Sequence, residues 1–164
     1  MIALYLTIWL ALVLFVAGET GRSLTPRGAA PPAWAWWTFT LGLTLAIVHT
    51  LLAFEFVHGW IHADAVRDTA TQTNEMFGIA AGWGVYVNYL FFAVWLADAV
   101  WWRITPPGHV RPRPLVWGLR AFYLIIIVNA AVVFAAGLRR LLGILIVSWL
   151  TRVWSVRSSS STRF

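Results

Sequence analysis

The sequence has no cysteine and no lysine, and only 11% of its 164 residues are charged. The absence of cysteine excludes disulfides, thiolate metal sites and redox thiols. The charged fraction is about half that of an average soluble domain, whereas 60% of the residues are apolar and the mean hydropathy is +0.75. A water-soluble fold of this size cannot bury so much apolar surface. This composition excludes a disordered chain, a nucleic-acid-binding module and a compact soluble enzyme, and it predicts a membrane protein.

Four apolar runs are each near the length that a helix needs to cross the bilayer, about 20 residues for about 30 Å of hydrocarbon. All seven prolines lie between these runs, and many tryptophans lie at their ends, as expected for two aromatic belts. We therefore predict an all-α integral membrane protein with a single membrane domain, a four-transmembrane-helix bundle built as two helical hairpins. The predicted spans are residues 1–17, 34–57, 77–100 and 115–137, with an outer loop at 58–76.

A fifth apolar stretch, residues 141–150, is too short to cross a membrane and is followed by tryptophan and arginine. Residues 141–154 are therefore predicted to form a short C-terminal interfacial helix, or a span that enters only part of the bilayer. If this segment does cross back, it carries Arg152, Arg157 and Arg163 to the opposite side of the membrane.

The arginines predict an orientation, because cytoplasmic loops of membrane proteins are enriched in basic residues. The two proline-rich connections are the basic ones, whereas the middle connection carries Arg67 among acidic residues. We therefore expect the proline- and arginine-rich loops to be cytoplasmic, the N-terminus to be outside, and the chain to reside in a bacterial inner membrane. The arginines of these two connections are Arg22, Arg27, Arg103, Arg111 and Arg113.

The two halves of the sequence match at an offset of 80 residues. The offset superimposes the segment Leu24-Thr25-Pro26-Arg27-Gly28 on the segment Ile104-Thr105-Pro106-Pro107-Gly108. It predicts a parallel internal repeat of two hairpins related by an axis along the membrane normal, with the middle connection as an insertion. The alternative is a chance match between two hairpins of similar composition.

Polar residues within spans are costly, so their positions carry information about function. Glu55, His58 and His62 are spaced by three and four residues, which places them on one helical face. Two imidazoles and one carboxylate are a ligand set suited to Zn or Fe(II), and haem fits less well, because both histidines project from one face. A carboxylate of the middle connection would supply a fourth ligand or hold an imidazole in orientation by a hydrogen bond; the candidates are Asp64, Asp68 and Glu75. The alternatives are that these residues only mark the wet end of the second span, or that they line a proton or substrate pathway.

A second polar group lies deeper in the predicted spans. His49, Asn88 and Asn129 have similar predicted depths on three different spans. They form either an intramembrane hydrogen-bonded layer that fixes helix packing or a ligand-binding layer. Asp98 and Arg120, both near the cytoplasmic boundary, are a candidate structural ion pair.

These patterns leave three functional hypotheses and assign no catalytic residue. The first is a metal-binding membrane protein with its site at the outer end of the second span. The second is a non-catalytic accessory or scaffold subunit of a larger membrane complex, with other membrane subunits or further copies of the chain as partners. The third is a small transporter. In each case the bilayer, rather than nucleic acid, is the expected partner.

Overall fold

The computed structural model describes residues 2–26, 29–106 and 109–159. Helix makes up 83% of this part of the chain, which contains no strand. The repeat and topology predictions that involve Arg27, Gly28, Pro107, Gly108 and Arg163 lie outside the described residues. The described helices are α1 (Ile2–Leu24), α2 (Ala33–Ala53, continued by a π-helical turn at Phe54–His58), α3 (His62–Phe77), α4 (Gly84–Ile104), α5 (Arg113–Val128, continued by a π-helical turn at Asn129–Val133) and α6 (Leu138–Ser159).

Proline and glycine account for several helix ends. Pro112 precedes α5 and Pro114 lies in its first turn, where the missing amide hydrogen is not needed. At the end of α3, Gly78 adopts the left-handed conformation with φ of 68°, and its N–H donates to the Asn74 carbonyl oxygen. A left-handed glycine is a common helix terminator, because it lacks the Cβ that strains this conformation.

Four helices are long and apolar enough to cross a membrane, at Ile2–Leu24, Ala33–His58, Gly84–Ile104 and Arg113–Val133. They overlap the four apolar runs of the sequence. Together with the helix content and the absence of strands in the described residues, they confirm the all-helical class. The first helix ends at Leu24 rather than at residue 17, and most of the predicted outer loop forms α3. The C-terminal segment is also longer than predicted, because α6 extends from Leu138 to Ser159.

The helix boundaries follow the 80-residue offset of the sequence. Helices α1 and α4 end at Leu24 and Ile104, and helices α2 and α5 begin at Ala33 and Arg113. Helix α3 then occupies the position of an insertion between two helix pairs. The helix boundaries thus agree with the 80-residue match in the sequence. The parallel repeat itself stays a prediction.

The chain divides into two compact units, of which the first comprises residues 2–15 and 40–101. Its core is centred on Trp95, which is 2% exposed and meets the Phe15 ring edge-on at 5.0 Å between centroids. Gly42 permits the close approach of α2 to α1, because a Cβ at this position would lie 2.9 Å from the Ala11 carbonyl oxygen. Helix α3 likewise packs closely on the turn before α4, where a Cβ at Gly82 would lie 2.8 Å from Val66.

The second unit comprises residues 16–39 and 102–159. Phe39 and Tyr123 are fully buried in it, and their rings lie 6.4 Å apart. Helices α5 and α6 form an antiparallel hairpin within this unit. At one end, Gly143 of α6 lies so close to Ala131 that a Cβ on the glycine would be 2.0 Å from the alanine carbonyl oxygen. At the other end, the Trp154 ring of α6 lies 5.4 Å from the Arg120 guanidinium of α5.

Candidate functional site

The C-terminal end of α2 departs from regular helix geometry where the sequence predicts a metal site. The last turn, Phe54–His58, is π-helical, and Gly59 after it is left-handed, with φ of 54°. Trp60 also has a positive φ, 61°, which is uncommon for a residue other than glycine and strains the backbone. Strained residues and π-helical turns are both frequent at functional sites, so this turn is the first candidate.

The three predicted metal ligands face different partners. The Glu55 carboxylate accepts a hydrogen bond from the Trp60 indole N–H at 2.6 Å. His58 Nδ1 lies 3.1 Å from Asp68 Oδ2 of α3. The His62 ring stacks on Phe54 with centroids 6.4 Å apart. Two tyrosine rings of α4 also border the His62 ring, at centroid distances of 5.6 Å for Tyr86 and 5.9 Å for Tyr89.

The three carboxylates predicted to support the metal site also have different environments. Asp68 lies near His58 but outside hydrogen-bond geometry, whereas Asp64 pairs with Arg67 one turn along α3, at 2.8 Å. Glu75 is exposed near the end of that helix. Across the described residues, no three His, Asp or Glu side chains are grouped so as to hold a metal ion. This turn therefore presents one histidine close to a carboxylate, beside an aromatic cluster.

The members of the predicted deep polar layer have different environments. His49 is part-buried, and its Nδ1 lies 2.9 Å from the Leu4 carbonyl oxygen and 3.4 Å from the Thr7 hydroxyl of α1. It thus links α2 to α1 within the first unit. Asn88 and Asn129 are both exposed. The hydrogen bonds of His49 are those of a packing residue.

The most deeply buried charged group lies elsewhere, in the second unit. The Glu19 side chain is fully buried. Its carboxylate accepts hydrogen bonds from the Arg22 guanidinium one turn later and from the Trp154 indole N–H, the latter at 3.1 Å. The Arg22 guanidinium in turn lies over the Phe39 and Trp102 rings, at 5.3 and 5.0 Å. The Glu19 carboxylate is thus buried against one cation and one indole, and aromatic rings cover that cation.

Arg120 extends this group of charges. It is 8% exposed, donates to the Ser23 hydroxyl at 3.2 Å, and lies over Trp117 and Trp154 at 5.3 and 5.4 Å. The Glu19 cluster, defined as Glu19, Arg22, Ser23, Arg120 and Trp154, therefore joins α1, α5 and α6. Asp98, the predicted partner of Arg120, is buried in the first unit, and their ion pair stays a prediction.

Sequence reasoning missed the Glu19 cluster because it placed the end of the first span at residue 17. An acidic residue followed three positions later by an arginine was then assigned to a connection, where such pairs are solvated. The available signal was the spacing of Glu19 and Arg22, since residues three apart face each other on a helix. No local pattern in the sequence indicates that Trp154 donates a hydrogen bond to Glu19.

Comparisons with protein-family models, curated proteins and solved structures find no match to this chain. The residues themselves therefore provide the basis for assigning a function.

Proposed function

We propose that this chain is an integral membrane protein that serves as a non-catalytic subunit of a membrane assembly. The observation that carries the proposal is the internal pairing of its buried polar groups. The Glu19 carboxylate bonds to Arg22 and Trp154, and the Arg120 guanidinium bonds to Ser23. Catalytic groups need access to a substrate, whereas these groups face each other and position α1 against α6. Polar contacts of this kind specify how helices pack in a bilayer.

The outward surface of the helices supports membrane insertion. In the most apolar stretch of each candidate span, only 17–28% of the residues are buried. Many of the remaining apolar side chains are exposed, and lipid or the helices of other subunits would cover them. Trp34, Trp37 and Trp117 at one set of helix ends, and Trp60 and Trp83 at the other, are exposed, as expected for residues at the two membrane interfaces.

The α5–α6 hairpin supports a fifth crossing by α6. Two contacts join the helices, Ala131 with Gly143 and Arg120 with Trp154. They are separated by the same length of chain on α5 and on α6, about 16 Å at 1.5 Å per residue, so α6 runs back along α5 over this distance. A fifth crossing would carry the C-terminal arginines to the side of the proline-rich connections. This arrangement agrees with the enrichment of basic residues on the cytoplasmic side.

Metal binding at the outer end of α2 is the second candidate, and the His58–Asp68 contact favours it. Metal-binding imidazoles commonly pair their second ring nitrogen with a carboxylate, which fixes the ring orientation. Asp68 Oδ2 lies 3.1 Å from His58 Nδ1 but outside hydrogen-bond geometry, so the imidazole ring would have to turn to make this pair and leave Nε2 as the metal-binding atom. Glu55 and His62 would have to leave their present partners to complete the site.

One preparation tests both candidates. The tagged chain is extracted from its native membrane in lipid nanodiscs, and its mass by native mass spectrometry and its metal content are measured together. The proposal expects an assembly of fixed stoichiometry, heavier than the 18.4 kDa chain, without stoichiometric metal. A lone chain holding one metal ion that is lost in His58→Ala and His62→Ala, but kept in Thr71→Ala on the exposed face of α3, would favour the metal-binding function. A lone chain without metal would contradict both.

A further inference from the structure

Asn129 is an exposed polar side chain in an apolar part of α5. It begins the π-helical turn Asn129–Val133, and its carboxamide has no hydrogen-bond partner among residues 2–26, 29–106 and 109–159. Residues 130–138 after it have no polar side chains, and Arg139 follows them. In a membrane this carboxamide would face hydrocarbon, where an amide without a partner is costly.

The carboxamide lies on a defined outward face of α5. Ala121 and Ile125 precede it at intervals of four residues, and all three are exposed, Ile125 to 66%. At about 100° per residue they lie within an arc of about 80°. The opposite face of the helix is buried within the second unit, through residues Arg120, Tyr123, Ile127 and Ala131. The face of Ala121, Ile125 and Asn129, here called the Asn129 face, is therefore available to another molecule.

We propose that the Asn129 face binds a second copy of this chain in a symmetric dimer. Lipid chains offer a carboxamide neither donor nor acceptor, so lipid does not satisfy this face. A carboxamide carries both N–H donors and a carbonyl acceptor. It is therefore self-complementary, and a two-fold axis that brings two Asn129 side chains together satisfies both with identical surfaces. Asparagine is a known source of interhelical hydrogen bonds in membranes, and the small side chain of Ala121 lets the two backbones approach.

This inference rests on the proposed function and names one partner in the assembly. Because the chain has no cysteine, a single introduced cysteine reports on its own position. Ile125→Cys lies on the Asn129 face. Ala130→Cys is the control, because Ala130 is also exposed and lies about 7.5 Å further along the helix but about 140° away around it. Membranes holding each variant are oxidised with copper phenanthroline, and the disulfide-linked dimer is measured on gels.

The dimer predicts strong cross-linking of Ile125→Cys and weak cross-linking of Ala130→Cys. Adding Asn129→Leu to Ile125→Cys should weaken self-association at least about threefold, whereas Asn129→Gln, which keeps the carboxamide, should retain most of it. Fluorescence energy transfer between labelled copies in vesicles gives the same comparison without oxidation. Intrinsic tryptophan fluorescence during thermal unfolding checks that the Asn129→Leu variant is folded.

The outcomes separate this inference from the proposed function. Equal cross-linking at both positions, or self-association unchanged by Asn129→Leu, overturns the inference. If no self-cross-link forms while native mass spectrometry finds a different chain in fixed stoichiometry, the inference is overturned and the proposed function stands. A lone chain that neither cross-links nor carries another subunit overturns both.

Discussion

Replacing Glu19 with glutamine tests the Glu19 cluster with a minimal change of shape. Glutamine keeps the length of the side chain and one carbonyl oxygen, but it removes the negative charge that faces the Arg22 guanidinium. The Trp154 indole N–H, now 3.1 Å from a carboxylate oxygen, would at best donate to a neutral oxygen. The substitution therefore leaves the packing in place and removes the buried negative charge.

The expected cost follows from the burial of the pair. Removing one partner of a buried ion pair costs about 3–5 kcal/mol, because the remaining charge loses its compensation. We expect about 3 kcal/mol, near the lower limit, because Arg22 is 18% exposed and lies over the Phe39 and Trp102 rings. For a chain of this length, this free energy corresponds to a fall in Tm of about 6–12 °C.

The assay is thermal unfolding of the purified protein in detergent, followed by intrinsic tryptophan fluorescence. The matched control is Glu55→Gln, the same chemical change at an exposed glutamate that accepts one indole hydrogen bond; we expect this control to cost less than about 1 kcal/mol. In a double-mutant cycle, Trp154→Phe should be less costly once Glu19 is glutamine. The reasoning is refuted if Glu19→Gln leaves Tm unchanged, or if Glu55→Gln lowers it equally.

Two further substitutions test the α5–α6 hairpin. Gly143→Ala should destabilise the protein by about 1–3 kcal/mol, because its methyl group would lie 2.0 Å from the Ala131 carbonyl oxygen. Gly118→Ala, where nothing lies within 4 Å, should be neutral or stabilising in dilute detergent, since alanine favours helix, and equal costs would contradict this packing. If α6 crosses the membrane, Ser155→Cys in intact cells should resist a membrane-impermeant maleimide that labels Thr71→Cys on α3. Labelling of both positions from outside would place the end of α6 on the outer side.

The sequence was sufficient to predict the candidate spans. Their position depends on composition and on proline placement, both of which can be read locally, and the four long apolar helices lie where the apolar runs do. The helix in the middle connection was missed because α3 is too polar to be recognised by hydropathy. Helix α6 was predicted as a short segment because its apolar stretch alone is short, whereas its full length depends on packing along α5.

For the candidate site too, the sequence predicted where the residues lie along the chain but not which partners they contact. The spacing of Glu55, His58 and His62 placed them at the end of one helix, but it did not determine which way their side chains turn. The π-helical turn and the positive φ of Trp60 give Glu55 an indole partner, and α3 places Asp68 near His58. A regular helix continued through residue 62 would have kept all three on one face.

By itself, then, the sequence determined an all-helical chain with candidate spans at the four apolar runs. Hydropathy and helix length are properties of consecutive residues, so they need no knowledge of the fold. Only the tertiary structure decided the environment of the charges. Glu19 is buried because Arg22 neutralises it from the next turn of α1 and Trp154 reaches it from α6, at the opposite end of the chain. Burial of a charge depends on partners that packing brings together, and no local pattern specifies a partner so distant in sequence.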